Sequence, residues 1–195
     1  MKILLDDPVD LKIRVSADRG GEVGIIVRRK TEMSLVRPLT LNDIDMTFEV
    51  RMLYEPYILT HYGVNLSVSK LKEFYEIFQK WDPEKELYRD KDFFYDLDYR
   101  FHAFLMSACP NEFINRSYDT IQTQNERFRY MTGNVSNFRL EATFKEHTAI
   151  VEPCLEGDWE KAADRLIYHL ERSKASAFRL VADSDVNSLA HRMTL

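Results

Sequence analysis

Two side chains able to bind a metal ion, Asp98 and His102, lie four residues apart in the apolar segment DLDYRFHAF. In a helix this spacing places them one turn apart on the same face. The face also carries Phe101 and Leu105, so both polar side chains are expected to be buried. Burial of an unpaired carboxylate costs several kcal/mol. Asp98 therefore requires hydrogen bonds, a positive partner or a metal ion.

Two more histidines, His147 and His169, interrupt apolar stripes in segments with helical periodicity. Gly157 and Asp158 lie between these segments and predict a helix end followed at once by an N-cap, so that the two helices run antiparallel. His147 lies ten residues before Gly157 and His169 twelve after it, which places the two rings at nearly the same level. The four side chains can then converge on one site.

A simpler interpretation remains open for each residue. A single histidine in an apolar stripe is more often a hydrogen-bonded core residue than a ligand, and the Asp-x-x-x-His pattern is common. Three of the five histidines, however, lie on inward stripes together with an aspartate, which favours a shared metal site. His61 lies near a helix end and His191 lies in the tail, so neither is assigned to the site.

Periodicity and capping residues predict an all-α antiparallel bundle of six to seven helices. Six helices are predicted at about residues 40–62, 67–81, 91–108, 111–132, 136–155 and 159–182.

An N-terminal arm is predicted to precede the bundle. Val- and Ile-rich stretches at 11–17 and 22–29 flank the turn sequence DRGG and predict a short β-hairpin, and residues 31–38 are predicted to be a linker. The domains are therefore predicted as 1–38, the arm and linker, and 39–195, the helical domain.

Composition is typical of a globular protein, with 195 residues, 45% hydrophobic and 30% charged. The net charge is −5, although residues 1–40 hold eight Lys or Arg against six Asp or Glu. An acidic body is repelled by the phosphates of nucleic acids. No apolar run reaches the roughly 18 residues that span a bilayer, so a cytoplasmic protein without membrane contact is expected.

Several motifs resemble the C-terminal effector-binding (FCD) domain of FadR-type regulators in the GntR superfamily. The resemblance covers about residues 41–182 and is carried by the Asp/His helix, the Gly-Asp turn and the order of the histidines. The matching segments are E49-V-R-M-L-Y-E-P56, D98-Y-R-F-H102, A108-C-P-N111, E146-H-T-A-I150, G157-D-W-E-K-A162 and His169.

The resemblance implies a helical domain that forms a homodimer and binds a divalent metal ion, Zn, Ni, Mn or Fe. The implied metal ligands are Asp98, His102, His147 and His169. A small carboxylate effector would complete the metal coordination and control a winged helix-turn-helix domain on the N-terminal side. Three imidazoles and one carboxylate leave one or two positions open on a five- or six-coordinate ion.

Arg51 and Asn125 are the candidate effector-binding residues. Arg51 matches a family position near the pocket and could pair with the acid, but an intrahelical salt bridge to Glu55 is an equally good interpretation. Asn125 interrupts an apolar stripe and could contact the ligand or be a satisfied core amide.

The sequence departs from the family pattern at its N-terminus. Fewer residues precede the bundle than a winged helix-turn-helix requires, and the predicted hairpin resembles a remnant of the wing. DNA binding is therefore expected only if a complete DNA-binding domain is supplied elsewhere, for example by a full-length relative in the dimer.

Two other functions remain open from the sequence. One is a metal-dependent hydrolase on a helical bundle, because an open His-rich site can activate water. That reaction also needs a general base, and Glu146 is predicted to point about 100° away from His147 around the helix. The other is a metal-free helical interaction protein in which the histidines are simply packed.

Overall fold

The computed structural model describes the backbone of residues 12–17, 23–29, 32–35, 40–80, 82, 91–132 and 137–193. Side chains are described within 40–80, 82, 92–126 and 139–182. Six α-helices occur in the described residues: α1 (Leu41–Tyr62), α2 (Val68–Gln79), α3 (Lys91–Met106), α4 (Glu112–Thr132), α5 (Asn137–Glu156) and α6 (Trp159–Met193). A short 3₁₀ helix, Gly63–Asn65, follows α1.

These helices confirm the predicted helical fold, and most of their ends lie within two residues of the predicted positions. The main difference is α6, which was expected to end near Ala182 and continues to Met193. The sequence after Ala182 is polar and therefore resembles a tail, but helix formation does not require an apolar face along its whole length. None of the helices in the described part of the chain is long and apolar enough to cross a membrane.

Capping residues explain where the helices begin. Thr40 and Asp43 form a capping box at the start of α1, with Asp43 N–H donating to Thr40 Oγ1 and Thr40 N–H donating to Asp43 Oδ2. Ser67 accepts a hydrogen bond from the Lys70 backbone at the start of α2. Pro56 lies inside α1, which remains one element as predicted.

The turn between α5 and α6 is the one that the sequence predicted. Gly157 has a φ of 78°, in the left-handed region that favours glycine. Asp158 then accepts a hydrogen bond from Lys161 N–H at the start of α6. Because the turn is this tight, α5 and α6 pack side by side.

An antiparallel sheet of order β1-β2-β3 lies before the helices in sequence. Strand β1 is Lys12–Ala17, β2 is Val23–Arg29 and β3 is Glu32–Leu35. β1 and β2 lie in the stretches for which a hairpin was predicted. An N-terminal hairpin arm that resembles a wing remnant stays a prediction. β3 corrects the predicted linker at 31–38, because a strand of four residues is too short for its alternation to be recognised in the sequence.

An aromatic cluster from three helices, α2, α3 and α5, packs against the centre of the bundle. The Phe78 ring lies 5.0 Å from that of Phe101 and 5.8 Å from that of Phe144, between centroids. The same cluster contacts His147, whose ring centroid lies 4.9 Å from Phe78 and 4.7 Å from Phe101. Apolar packing therefore fixes the position of one histidine of the candidate site.

Candidate metal centre

Four predicted ligands converge in the interior of the bundle. Asp98 and His102 come from α3, His147 from α5 and His169 from α6. All four side chains are buried, and each offers one ligand atom within 4.8 Å of the other three. The i, i+4 spacing and the antiparallel turn therefore bring together the side chains that the sequence predicted to meet.

The spacing of these atoms fits a metal ion of the size of zinc. His147 Nε2 lies 3.3 Å from His169 Nε2 and 3.4 Å from Asp98 Oδ1, and His102 Nε2 lies 3.8 Å from Asp98 Oδ1. Ligand atoms about 2.0–2.1 Å from a tetrahedral ion are about 3.3–3.4 Å apart. The group could therefore hold an ion after small adjustments of the side chains.

Two glutamates hold the outer nitrogens of two of the histidines. Glu55 Oε2 lies 2.7 Å from His102 Nδ1, and Glu146 Oε2 lies 2.8 Å from His169 Nδ1. A carboxylate accepts hydrogen bonds, so each Nδ1 is the protonated nitrogen and each Nε2 carries the lone pair. A glutamate that orients a histidine in this way is typical of metal centres.

His102 Nε2 gives the most specific indication of a ligand. This atom is buried and has no hydrogen-bond partner among the side chains and backbone that the structure describes. A buried polar atom without a partner costs about 1–3 kcal/mol. Coordination to a cation at the centre of the four residues would satisfy it.

Burial also keeps the imidazoles in the form that binds metals. It lowers the pKa of His102 below its usual value, and the Glu55 carboxylate opposes this shift only in part. It lowers the pKa of His169 to about 4, although the hydrogen bond to Glu146 acts in the opposite direction. Both rings are therefore neutral at neutral pH, as metal ligation requires.

Glu55 is fully buried and is held by residues from three helices. Burial by itself would raise the pKa of Glu55, but the charges of Arg51 and His102 and their hydrogen bonds lower it far below its usual value. Arg51 Nε donates to Glu55 Oε1 over 2.6 Å, and Tyr118 Oη donates to the same oxygen. The carboxylate thus stays charged and links α1, α3 and α4.

Glu146 has an equivalent set of partners nearer the surface. Burial would raise its pKa, but the hydrogen bonds and charges of His169 and Arg139 lower it to about 2. Its Oε1 accepts from Arg139 Nη1 at 2.7 Å and from Arg172 Nε at 3.0 Å. Arg139 Nη2 also donates to Ser173 Oγ at 2.8 Å. This network orients His169.

A cavity of about 90 Å³ adjoins the four residues, and Asp98 and His169 form part of its wall. Both predicted effector-binding residues, Arg51 and Asn125, also line it. Arg51 forms the intrahelical salt bridge to Glu55 and also borders the cavity, while its pairing with an acid stays a prediction. Asn125 is buried at the cavity wall. The cavity is therefore the candidate site for a small molecule bound next to the metal.

Comparison with known proteins identifies the domain family of this chain. The family model of the FCD domain matches residues 46–172, a range that includes all four candidate ligands. The chain belongs to the FCD domain family. The predicted resemblance is thereby confirmed, and the FCD match extends over about two thirds of the chain.

Solved structures of FCD domains share the fold. The metal-free FCD domain of TM0439, a protein assigned as a transcriptional regulator, superimposes with a TM-score of 0.62 at 22% identity, covering 75% of this chain and 99% of that one. The Zn²⁺-bound FCD domain of TM0439 gives a TM-score of 0.61 at 22% identity, with coverage of 74% and 98%.

A GntR-family transcriptional regulator from Pseudomonas syringae pv. tomato str. DC3000 gives a TM-score of 0.60 at 17% identity. The alignment covers 83% of this chain and 66% of that regulator. No curated protein sequence matches this chain.

Sequence reasoning predicted that the four inner residues meet, but it did not predict that Glu55 and Glu146 hold the outer nitrogens of His102 and His169. Glu55 had a detectable signal, because it falls on the predicted inner face of α1, four residues after Arg51. Glu146 and Arg139 had none. The Glu146 side chain points away from the His147 ring, as expected for neighbouring residues in a helix. It contacts His169 on the neighbouring helix instead.

Proposed function

We propose that this chain is the ligand-sensing domain of a transcriptional regulator and that it binds a divalent metal ion together with a small carboxylate effector. Asp98, His102, His147 and His169 would hold the ion. The bound ion would supply a strong positive centre for an anionic ligand. Arg51 and Asn125 would contact that ligand in the adjoining cavity.

One observation carries this proposal: four buried ligand atoms converge from three helices, and one of them, His102 Nε2, has no hydrogen-bond partner within the described part of the chain. Membership of the FCD family and the Zn²⁺-bound state of a similar FCD domain support it. Zinc, nickel, manganese and iron all suit a site of imidazoles and one carboxylate.

A melting experiment tests the metal site. The chelator-treated protein should melt at a higher temperature after Zn²⁺ is added, because an ion that binds only the folded state stabilises it by about 2.7 kcal/mol at a hundredfold excess over Kd. His147→Ala should lose this shift. His61→Ala should retain it, because His61 is exposed on α1 and bonds Tyr57 O and Thr60 Oγ1. An unchanged melting temperature for the wild type would contradict the proposal.

The contacts of Glu146 favour a sensor over a hydrolase. A hydrolase needs a general base beside the metal-bound water. Glu146, the glutamate next to a candidate ligand in sequence, instead contacts the outer nitrogen of His169 and two arginines. Its contacts are those of a residue that positions a ligand.

The proposed regulator domain would act as a homodimer. α1 exposes Leu53 and Tyr57 one turn apart, and α4, which adjoins α1 through a hydrogen bond between Ser117 and Tyr54, exposes Phe113. Leu53 is 63% and Phe113 is 83% exposed. Large exposed apolar side chains on adjoining helices are typical of protein interfaces. This surface, Leu53, Tyr57 and Phe113, is the proposed dimer face.

A further inference from the structure

Two arginines from different helices line the cavity beside the candidate metal centre. Arg51 lies on α1 and Arg139 on α5, and Asp98 and His169 border the same cavity. We propose that the effector is a short dicarboxylate, with one carboxylate at the metal and Arg51 and the other at Arg139. This inference rests on the proposed function, because it names the chemical class of that effector.

The contacts of Arg139 fix its guanidinium before any ligand binds. Nη1 lies 2.7 Å from Glu146 Oε1 and Nη2 lies 2.8 Å from Ser173 Oγ. A guanidinium presents five N–H donors in one plane, so it can bind an acid while it keeps its glutamate. A side chain that is already ordered loses little conformational entropy on binding. Arg139 is therefore suited to recognise a second carboxylate.

Hydroxyl groups lie along the same part of the cavity wall. Thr143 is one turn after Arg139 on α5, and Ser173 and Ser176 are one turn apart on α6. All three line the cavity with Arg139. Hydroxyls both donate and accept hydrogen bonds, so they can complete the shell of a carboxylate. Phe48 and Phe94 also line the cavity and can contact the methylene groups between the two acids.

The balance of charges favours an anionic ligand at the metal and places a further, partly screened positive charge near Arg139. The opposite charges cancel within each of the ion pairs Arg51–Glu55 and Arg139–Glu146. Asp98 neutralises only one charge of a divalent ion, which leaves one positive charge in excess. Arg172, on the outer side of Glu146 and 48% exposed, adds another that is partly screened. Buried net charge is costly in a site of low polarity, so the first carboxylate of the ligand is stabilising at the metal. The charge of Arg172 attracts a second carboxylate near Arg139, with an energy reduced by solvent.

The size of the cavity suits a short acid. Its volume of about 90 Å³ has room for roughly six to nine water-sized groups. Succinate has eight non-hydrogen atoms, so an acid of this length can be contained in the cavity. A short dicarboxylate therefore matches the cavity in both size and charge.

Calorimetric titration of the Zn²⁺-loaded protein with succinate and with butyrate tests the inference. The two acids have the same four-carbon chain and differ by one carboxylate. Succinate should bind more tightly, on the order of tenfold to a hundredfold, because a hydrogen-bonded charge pair at Arg139 is added. Equal affinities for the two acids would overturn the inference while leaving the proposed sensor function intact.

Substitution of Arg139 locates the second carboxylate. Arg139→Gln should bring the affinity for succinate close to that for butyrate. Because Arg139 also holds Glu146, both acids are titrated into protein that carries one zinc ion per chain, and the ratio of the two affinities is the quantity compared. Arg165→Gln is the matched control, because Arg165 lies exposed on α6, and it should keep the preference. A preference that survives in Arg139→Gln would overturn the assignment. Failure of both acids to bind the zinc-loaded wild type would overturn the effector pocket and this inference together.

Discussion

Two glutamates determine how the histidines of the candidate centre are oriented. Glu55 and Glu146 each accept from the outer nitrogen of a histidine and each is held by an arginine that borders the cavity. The inner nitrogens are thereby directed at one point. Two rows of contacts thus connect the centre with the cavity wall. One runs from His169 through Glu146 to Arg139, and the other runs from His102 through Glu55 to Arg51.

Glu146→Gln tests the role of the outer carboxylate. The substitution keeps an oxygen for His169 Nδ1 but removes the charge that strengthens the ligand, so the affinity for Zn²⁺ should fall by about tenfold to a hundredfold. Competition with a chromophoric chelator measures this change. Glu152→Gln on the same helix is the control, because Glu152 is exposed and bonds only to Tyr75 among the hydrogen bonds described. Equal zinc affinities of the two variants would argue against an orienting role.

Arg51→Met tests how strongly the buried carboxylate depends on its partner. Glu55 would remain buried without its main positive neighbour, and the free energy of unfolding should fall by about 3–5 kcal/mol. Arg116→Met removes an arginine with the same spacing to a glutamate, Glu112, but at the surface, where such pairs contribute little. Urea denaturation measures both. A loss in Arg51→Met no larger than that in Arg116→Met would show that Glu55 is satisfied without Arg51.

At the scale of elements, the sequence predicted the helices and turns, because their positions depend on residues that are close together in the chain. Periodicity, Thr40, Ser67 and the Gly157 turn determine the helices and the alignment of α5 with α6, so the four inner residues could be predicted. Side-chain contacts between different helices could not be predicted in this way. The contact of Glu146 with His169 depends on the rotation of α6 about its axis, which no local pattern encodes.

Two glycines should be sensitive to alanine for different reasons. At Gly157 nothing lies within 4 Å of an added Cβ, so Gly157→Ala should cost about 1–2 kcal/mol from the left-handed backbone alone. At Gly63 an added Cβ would overlap the Trp159 indole, so Gly63→Ala should cost about 1–3 kcal/mol from overpacking. Gly157→Asn should recover part of the first loss, since asparagine tolerates this conformation. Denaturation curves in which Gly157→Asn is no more stable than Gly157→Ala would contradict the backbone explanation.

At the scale of the molecule, the proposed dimer face predicts how assembly can be disrupted. Leu53→Glu places a charge among Leu53, Tyr57 and Phe113, and the protein should elute as a monomer in size-exclusion chromatography coupled to light scattering. Val68→Glu is the control, because Val68 is also exposed and apolar but lies at the start of α2, outside this face. A Leu53→Glu variant that still dimerises would exclude the face as the interface.

The metal site also connects the parts of the fold that carry it. α3, α5 and α6 each contribute at least one of the four inner residues, and Glu55 adds α1 through His102. An ion held at their meeting point would stabilise the packing of all four helices together. Binding of an acid in the adjoining cavity would then affect the same helices, as a sensor domain requires.

Native mass spectrometry of the protein after chelator treatment and reloading with Zn²⁺ tests the central claim most directly. The wild type and His61→Ala should each retain one ion per chain, and His169→Ala should retain none. A wild type that retains no ion, or a His169→Ala variant that retains it as well as the wild type, would contradict a metal centre built from Asp98, His102, His147 and His169.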